Sequence, residues 1–451
     1  MVGASLSRWT LSYFGAALVA LVAGEALVAA GYGFPAASIQ SPRTLVLVHL
    51  IALGWLSLLL CGALFQFVPV LVARPLFSNT LPLPTLGLLL GGIAALISGF
   101  LQLDGQIELA LPLFPIAAIL LAAGFALVLW NLGRTLWSAR PLPLPARFVV
   151  AGLFSLAAAV TLGIVFALVL GGSVTSSGLA ELTALGLPIH VAAGLGGWLT
   201  FTAMGVSYRL LSMFMLAPEL DRSTTQMNLY TGTAALLVAI AGGTAAICFE
   251  GPVDLVLVAA GILGLAAISL YAVDIIHLYR ARKRRTIELN SRMAALALIS
   301  LAAAVVAIVA ALAFGALERQ IGAIVFLLAF GWLTGLGLAK LYKIVPFLTW
   351  LECYGPVLGK RPTPRVQDLV VERRALKWFL LYYAATWSGT IALFLNENTA
   401  FRGAAALMVV ATLGIIVQFV RARRLADIVS SERFLQGLRR PRLLHSASQP
   451  T

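Results

Sequence analysis

Few side chains in this chain can carry chemistry. Four histidines occur among 451 residues, and two of them, His49 and His190, fall inside long apolar stretches. His49 precedes Trp55 by six residues and His190 precedes Trp198 by eight, so the two imidazoles lie at nearly equal depth in their helices. Neutral imidazole is the usual axial ligand of haem and also binds copper. Ionisable side chains at membrane depth are costly and usually functional. Taken singly, either histidine reads as a group that hydrogen-bonds a carbonyl between helices. Taken together at matched depth, they point to a bound haem or metal with His49 and His190 as ligands.

The other polar groups in apolar surroundings are sparse. Glu25 sits in the middle of the first apolar stretch, where it could orient His49, relay protons or pair with a neighbouring hydroxyl. Gln66, Arg209 and Lys343 form a polar ring near one end of three long stretches. Snorkelling to the interface accounts for them, with proton or anion access as the sharper reading. Asp274 and His277, one turn apart beside a basic run, read as a solvated helix end, and His445 as a free tail residue. Cys61, Cys248 and Cys353 belong to no CxxC pair, which argues against a disulfide framework or thiol cluster.

The elements that must position these groups are membrane helices. The chain is 61% hydrophobic and 11% charged, with a mean hydropathy of +0.99. No water-soluble domain has interior enough for that composition, so lipid is the solvent for most of the chain. A cytosolic enzyme, a nucleic-acid-binding domain and a disulfide-stapled secreted module are excluded. Spans of about 20 apolar residues fall at 11–33, 44–70, 83–103, 109–133, 148–172, 184–215, 227–249, 253–278, 293–316, 320–348, 376–395 and 402–421. The first contains Glu25 and no small-residue cleavage site, and reads as a retained helix rather than a signal peptide.

The net charge of +14 is distributed unevenly. Arg134, Arg140, Arg147, the basic runs within 280–292 and 360–374, and the tail from Arg421 lie on one side. Asp104, Glu108, Glu181, Glu250, Asp254, Glu318 and Glu397 dominate the other. The positive-inside rule then places both termini in the cytoplasm. Residues 1–425 form the membrane domain. Residues 426–451 form a basic cytoplasmic tail, of which 426–442 could lie as an amphipathic helix on the anionic leaflet.

An internal repeat organises the spans. Gly-Trp-Leu occurs at 54–56, 197–199 and 331–333, each time in one of the three longest spans. Counted from Trp55, Trp198 and Trp332, matches recur at Gly62, Gly205 and Ala339, at Phe65, Tyr208 and Tyr342, at Gln66, Arg209 and Lys343, and at Pro69, Ser212 and Pro346. The tryptophans are 143 and 134 residues apart, and each interval holds four spans. The expected fold is all-α, with twelve transmembrane helices as three pseudo-repeats of four around a central pseudo-three-fold axis.

This layout resembles the haem–copper oxidase superfamily, above all the catalytic subunit of cbb3-type oxidases and bacterial nitric oxide reductases. Residues 48–69 (VHLIALGWL, then GALFQFVP) resemble that family's second helix, with His49 in the place of its low-spin-haem ligand. Residues 188–214 resemble the sixth helix, with His190 in the place of a histidine on the active-site copper. The histidine pair of helix seven and the two histidines of helix ten have no counterpart, since 227–249 and 320–348 contain no histidine.

What the resemblance implies is therefore a haem-binding protein on a degenerate oxidase scaffold, without a complete binuclear centre. Its work would be electron transfer, gas (O2 or NO) sensing, or haem or copper handling; if enzymatic, it would be an oxidoreductase of that type. The cofactor would be non-covalent haem b beside Trp55 and Trp198, with propionates toward Arg43 and room for the macrocycle beside Gly54, Gly62, Gly194, Gly196 and Gly197. His190 would lie trans to His49 or hold copper. The absence of CxxCH excludes covalent haem on this chain, while a separate cytochrome or other redox subunit, or a second copy of the chain, would be the partner. The setting implied is the bacterial inner membrane.

At 100° per residue the two imidazoles stand roughly 160° apart on their helix faces. They either meet in one cleft or face different neighbours, and both arrangements stay open. Two further readings compete: a secondary transporter, built from two six-helix halves, and an assembly subunit without cofactor.

Overall fold

The computed structural model describes residues 8–429, 433 and 441–444. The amphipathic helix expected over 426–442 lies largely outside the described residues, and His445 wholly so. In lipid a backbone must satisfy its hydrogen bonds within its own segment, and this leucine- and alanine-rich chain does so as helices. No strand forms among the described residues, where only an isolated bridge joins Leu358 and Arg361.

Among the described residues eleven helices are long and apolar enough to cross a membrane, which makes this a multi-pass membrane protein. They are α1 (Thr10–Ala30), α2 (Pro42–Val72), α3 (Pro82–Leu103), α4 (Leu113–Trp137), α5 (Leu144–Leu170), α6 (Leu187–Met215), α7 (Ser223–Cys248), α8 (Val253–Arg280), α9 (Leu289–Ala313), α10 (Leu317–Val357) and, after α11 (Glu372–Phe394), α12 (Asn398–Arg423). The stretch expected at 376–395 is thus helical as α11, but Tyr382, Tyr383, Thr386, Trp387, Ser388 and Thr390 dilute its apolarity below that of the other eleven. Local signals set the ends. Pro42 opens α2 behind Ser41, whose hydroxyl accepts from the Thr44 amide at 3.3 Å. Gly31, at φ 82°, closes α1 in the left-handed conformation that glycine adopts without strain.

The chain folds as two compact units, residues 1–66 with 288–451 and residues 67–287. The first holds α1, most of α2 and α9–α12; the second holds α3–α8. Sequential six-helix halves, α1–α6 and α7–α12, are not what the contacts separate. Within the first unit α1 packs on α2, α9 on α10, α11 on α12 and α1 on α12. Within the second, α3 packs on α4, α5 on α6 and α7 on α8.

Three of these helices depart from α-helical winding at corresponding places. Leu50–Ser57 in α2, Ala192–Phe201 in α6 and Leu327–Thr334 in α10 are π-helical, and each contains a Gly-Trp-Leu triplet. A shorter π-helical stretch, Val238–Gly242, interrupts α7. Such winding ordinarily lasts a single turn and clusters at functional sites. The glycine of each triplet abuts the preceding helix. A Cβ on Gly54 would lie 2.9 Å from Cβ of Ala20, and one on Gly331 would lie 2.9 Å from Cβ of Ser300. One on Gly197 would overlap Ser155. Small residue meets small residue at all three places, the close approach that drives helix association in lipid.

Candidate functional site

The π-helical stretch of α2 begins immediately after His49. His49 is partly buried, and its Nδ1 lies 2.8 Å from the Leu45 carbonyl one turn earlier. A ring held this way carries its proton on Nδ1, the arrangement that orients histidine ligands in metal and haem sites. The expectation based on 100° per residue does not describe the interval from His49 to Trp55, nor that from His190 to Trp198, because both run through π-helical winding. His190 in the second unit turns toward α5. Its ring centroid is 5.5 Å from that of Phe166, and a Cβ on Gly163 would stand 3.2 Å from its Cε1.

The expected glycine cradle does not form as drawn from the sequence. Gly54 and Gly197 are closed by Ala20 and Ser155, and a Cβ on Gly62 would stand 2.6 Å from Cβ of Tyr13. Only Gly194 and Gly196 have nothing nearer than 4.0 and 3.9 Å, respectively. Trp55 and Trp198 are core residues, and Arg43 is exposed at the start of α2. Among the described residues no three of His, Cys, Asp or Glu come together to hold a metal ion. The described residues therefore do not form a multi-ligand copper centre.

A hydrogen-bonded network runs through the interior of the first unit. The fully buried Trp55 donates its indole N–H to the Thr334 hydroxyl at 2.8 Å, joining the π-helical stretches of α2 and α10. Thr334 in turn donates to the Ala329 carbonyl, five residues back, at 2.8 Å. Tyr382 of α11 donates to the neighbouring Phe330 carbonyl at 2.9 Å. Wide winding displaces carbonyls from their usual amide partners, and these side chains satisfy them. Glu25 of α1 is also buried in this unit: it is 1% exposed and accepts from Thr412 of α12 at 3.0 Å. Its second oxygen, Oε2, has no hydrogen-bond donor. Of the roles open to Glu25 in the sequence, the hydroxyl partner is the one observed; His49 is not among its partners.

The polar ring divides. Gln66 is partly buried at the end of the first unit's part of α2. Arg209 pairs with Glu219 in the second unit, and Lys343 pairs with Glu288 in the first at 2.7 Å. Both cations are thus ion-paired. Lys343 lines a small cleft with Glu288, Asn290, Tyr342, Gln367 and Glu372. The Tyr342 hydroxyl and the Asn290 amide nitrogen have no hydrogen-bond partner there.

Comparison of the chain with protein families and with curated proteins finds no match.

One expectation fails outright. Asp274 is not at a solvated helix end: it is 0% exposed, on the face of α8 that meets α6 and α7, while His277 is exposed. Tyr208 and Thr224 donate to its carboxylate at 3.1 and 2.5 Å. Thr334, Thr412 and Tyr382 were invisible as site residues in the sequence, because a hydroxyl in a helix ordinarily bonds its own backbone.

Proposed function

We propose that the chain is a haem-binding membrane protein built from three copies of one four-helix unit, α1–α4, α5–α8 and α9–α12, with α11 as the twelfth span. The observation that carries this reading is the coincidence of π-helical winding, Gly-Trp-Leu and a glycine-to-small-residue contact with the preceding helix, at three places. The pairing of first with second helix and of third with fourth recurs in each copy. That pattern supports the oxidase-like scaffold over the two-half transporter layout, whose sequential halves differ from the compact units.

On this reading His49 holds non-covalent haem b through Nε2, with the Leu45 carbonyl fixing its tautomer. Haem supplies one-electron exchange or a gas-binding iron when bound. Arg43 offers a guanidinium to a propionate from the start of α2. The Trp55–Thr334 bond fixes the winding of the helix that carries His49, and Glu25, held by Thr412, provides a buried carboxyl able to exchange a proton. The basic loops support cytoplasmic termini by the positive-inside rule, and on this reading a cytochrome or other redox protein of a bacterial inner membrane is the partner in electron transfer. The test is a reduced-minus-oxidised absorbance spectrum of detergent-purified protein from haem-replete cells. A Soret band with near-stoichiometric haem is expected; colourless protein would overturn the cofactor.

A further inference from the structure

In the second unit, Asp274 is fully buried and, among the described residues, meets no Lys, Arg or His. Its bonds come from neutral hydroxyls: Thr224 Oγ1 at 2.5 Å and Tyr208 Oη at 3.1 Å. Hydroxyl donors ease the desolvation of a carboxylate but leave its charge uncompensated, and an uncompensated buried charge is strongly unfavourable. More oxygen surrounds it. Asn228 donates its amide nitrogen to Tyr208 Oη at 2.7 Å. Its own Oδ1, in a residue 0% exposed, has no donor. Thr225 Oγ1, one turn from Asn228 on the same helix and 1% exposed, likewise has no partner. The cluster therefore combines one formal negative charge with unpartnered oxygens, and holds neither sulfur nor imidazole.

We propose that Asp274, Thr224, Asn228 and Tyr208 form a binding site for a single alkali cation, sodium. Hard cations take oxygen ligands, whereas thiolate and imidazole select transition metals. A calcium ion ordinarily recruits several carboxylates; this site has one, which balances a monovalent ion. The cation neutralises Asp274 and gives the Asn228 carbonyl oxygen the positive partner it lacks. Thr224 is in the first turn of α7, and Asp274 precedes the last residue of α8, Arg280, by six residues, about 9 Å of helix. The site thus lies near the end of the unit that carries the basic loops, and the ion ties α6, α7 and α8 together.

The test uses the full chain in detergent or nanodiscs, with NaCl titrated against choline chloride at constant ionic strength and fixed pH. Sodium is expected to raise the melting temperature along a saturating curve, as any ligand of the folded state does. Thr224→Val and Asn228→Ala are expected to move the midpoint to about tenfold higher sodium or more, and Asp274→Asn to melt identically with and without sodium. Bound ²²Na is expected in the parent and absent in Asp274→Asn. Identical melting of the parent in sodium and choline would overturn the site. So would a sodium response that survives Asp274→Asn. A pH-dependent melting temperature that Asp274→Asn abolishes and sodium leaves untouched would assign the site to a proton instead. Should Asp274→Asn fail to fold, unchanged sodium midpoints in both Thr224→Val and Asn228→Ala would overturn the proposal by themselves.

Discussion

Replacing Thr334 by valine keeps the shape of a fully buried side chain and deletes its hydroxyl. Two bonds go with it: the one accepted from Trp55 Nε1 and the one given to the Ala329 carbonyl, both 2.8 Å long. Trp55 and Thr334 are each 0% exposed, so no water replaces the lost partner. A buried donor left unmade costs about 1–3 kcal/mol, and Thr334→Val should destabilise by roughly that amount. Trp55→Phe removes the donor instead and leaves a small void, at a cost of roughly 2 kcal/mol. The double variant loses the bond only once, so the two costs should not add. Interhelical hydrogen bonds in membranes couple by about 0.6 kcal/mol on average and up to about 1.7, which sets the expected coupling. The assay is reversible unfolding of the four proteins in mixed SDS micelles followed by circular dichroism, with Thr334→Ser as a rescue control. Strict additivity would refute the claim that this bond joins the π-helical stretches of α2 and α10.

Two further outcomes follow from packing and charge. Gly62→Ala should destabilise by about 1–2 kcal/mol, since its Cβ would stand 2.6 Å from Cβ of Tyr13 and overpacking outweighs the roughly 1 kcal/mol gained from helix propensity. Gly196→Ala, whose nearest neighbour would be Leu236 Cδ2 at 3.9 Å, should be neutral or mildly stabilising in the same unfolding assay; equal losses at both sites would defeat the argument. At the basic end of the first unit, burial pushes the Asp427 carboxyl up, but hydrogen bonds from Arg421 and Arg374 outweigh this and hold it below the usual carboxylate range. Its contribution is therefore present above the unfolded value of about 3.9 and is lost as pH falls through the lower folded value. Asp427→Asn should lower the melting temperature near neutral pH, and the two proteins should converge in acid; a gap that persists there would contradict the assignment.

Hydropathy alone was enough to locate the helices, because a run of about 20 apolar residues has no other stable home. The exception was α11, where aromatic and hydroxyl residues packed inside the unit replace aliphatic ones facing lipid. Glu25, Arg209 and Lys343 stood out because charge is rare in these stretches, yet their partners did not. Thr412 is 387 residues from Glu25, and Thr334 is 279 from Trp55. Winding was the other hidden variable. Gly-Trp-Leu marks the positions of three of the four described π-helical stretches, but a face drawn at 100° per residue presumes α-helix throughout. Asp274 was misread for a related reason: the basic run beyond Arg280 suggested solvent, while the burial of that face of α8 depends on α6 and α7.

The central claim is that His49 holds haem on a threefold-repeated scaffold, and it is tested most directly by reduced-minus-oxidised spectra of the parent, His49→Ala and His190→Ala, purified in parallel from haem-replete cells. The account predicts a Soret band in the parent, its loss in His49→Ala with the helical content unchanged, and its retention in His190→Ala, whose ring packs against Phe166 and Gly163. A parent without a Soret band, or an undiminished band in His49→Ala, would contradict it.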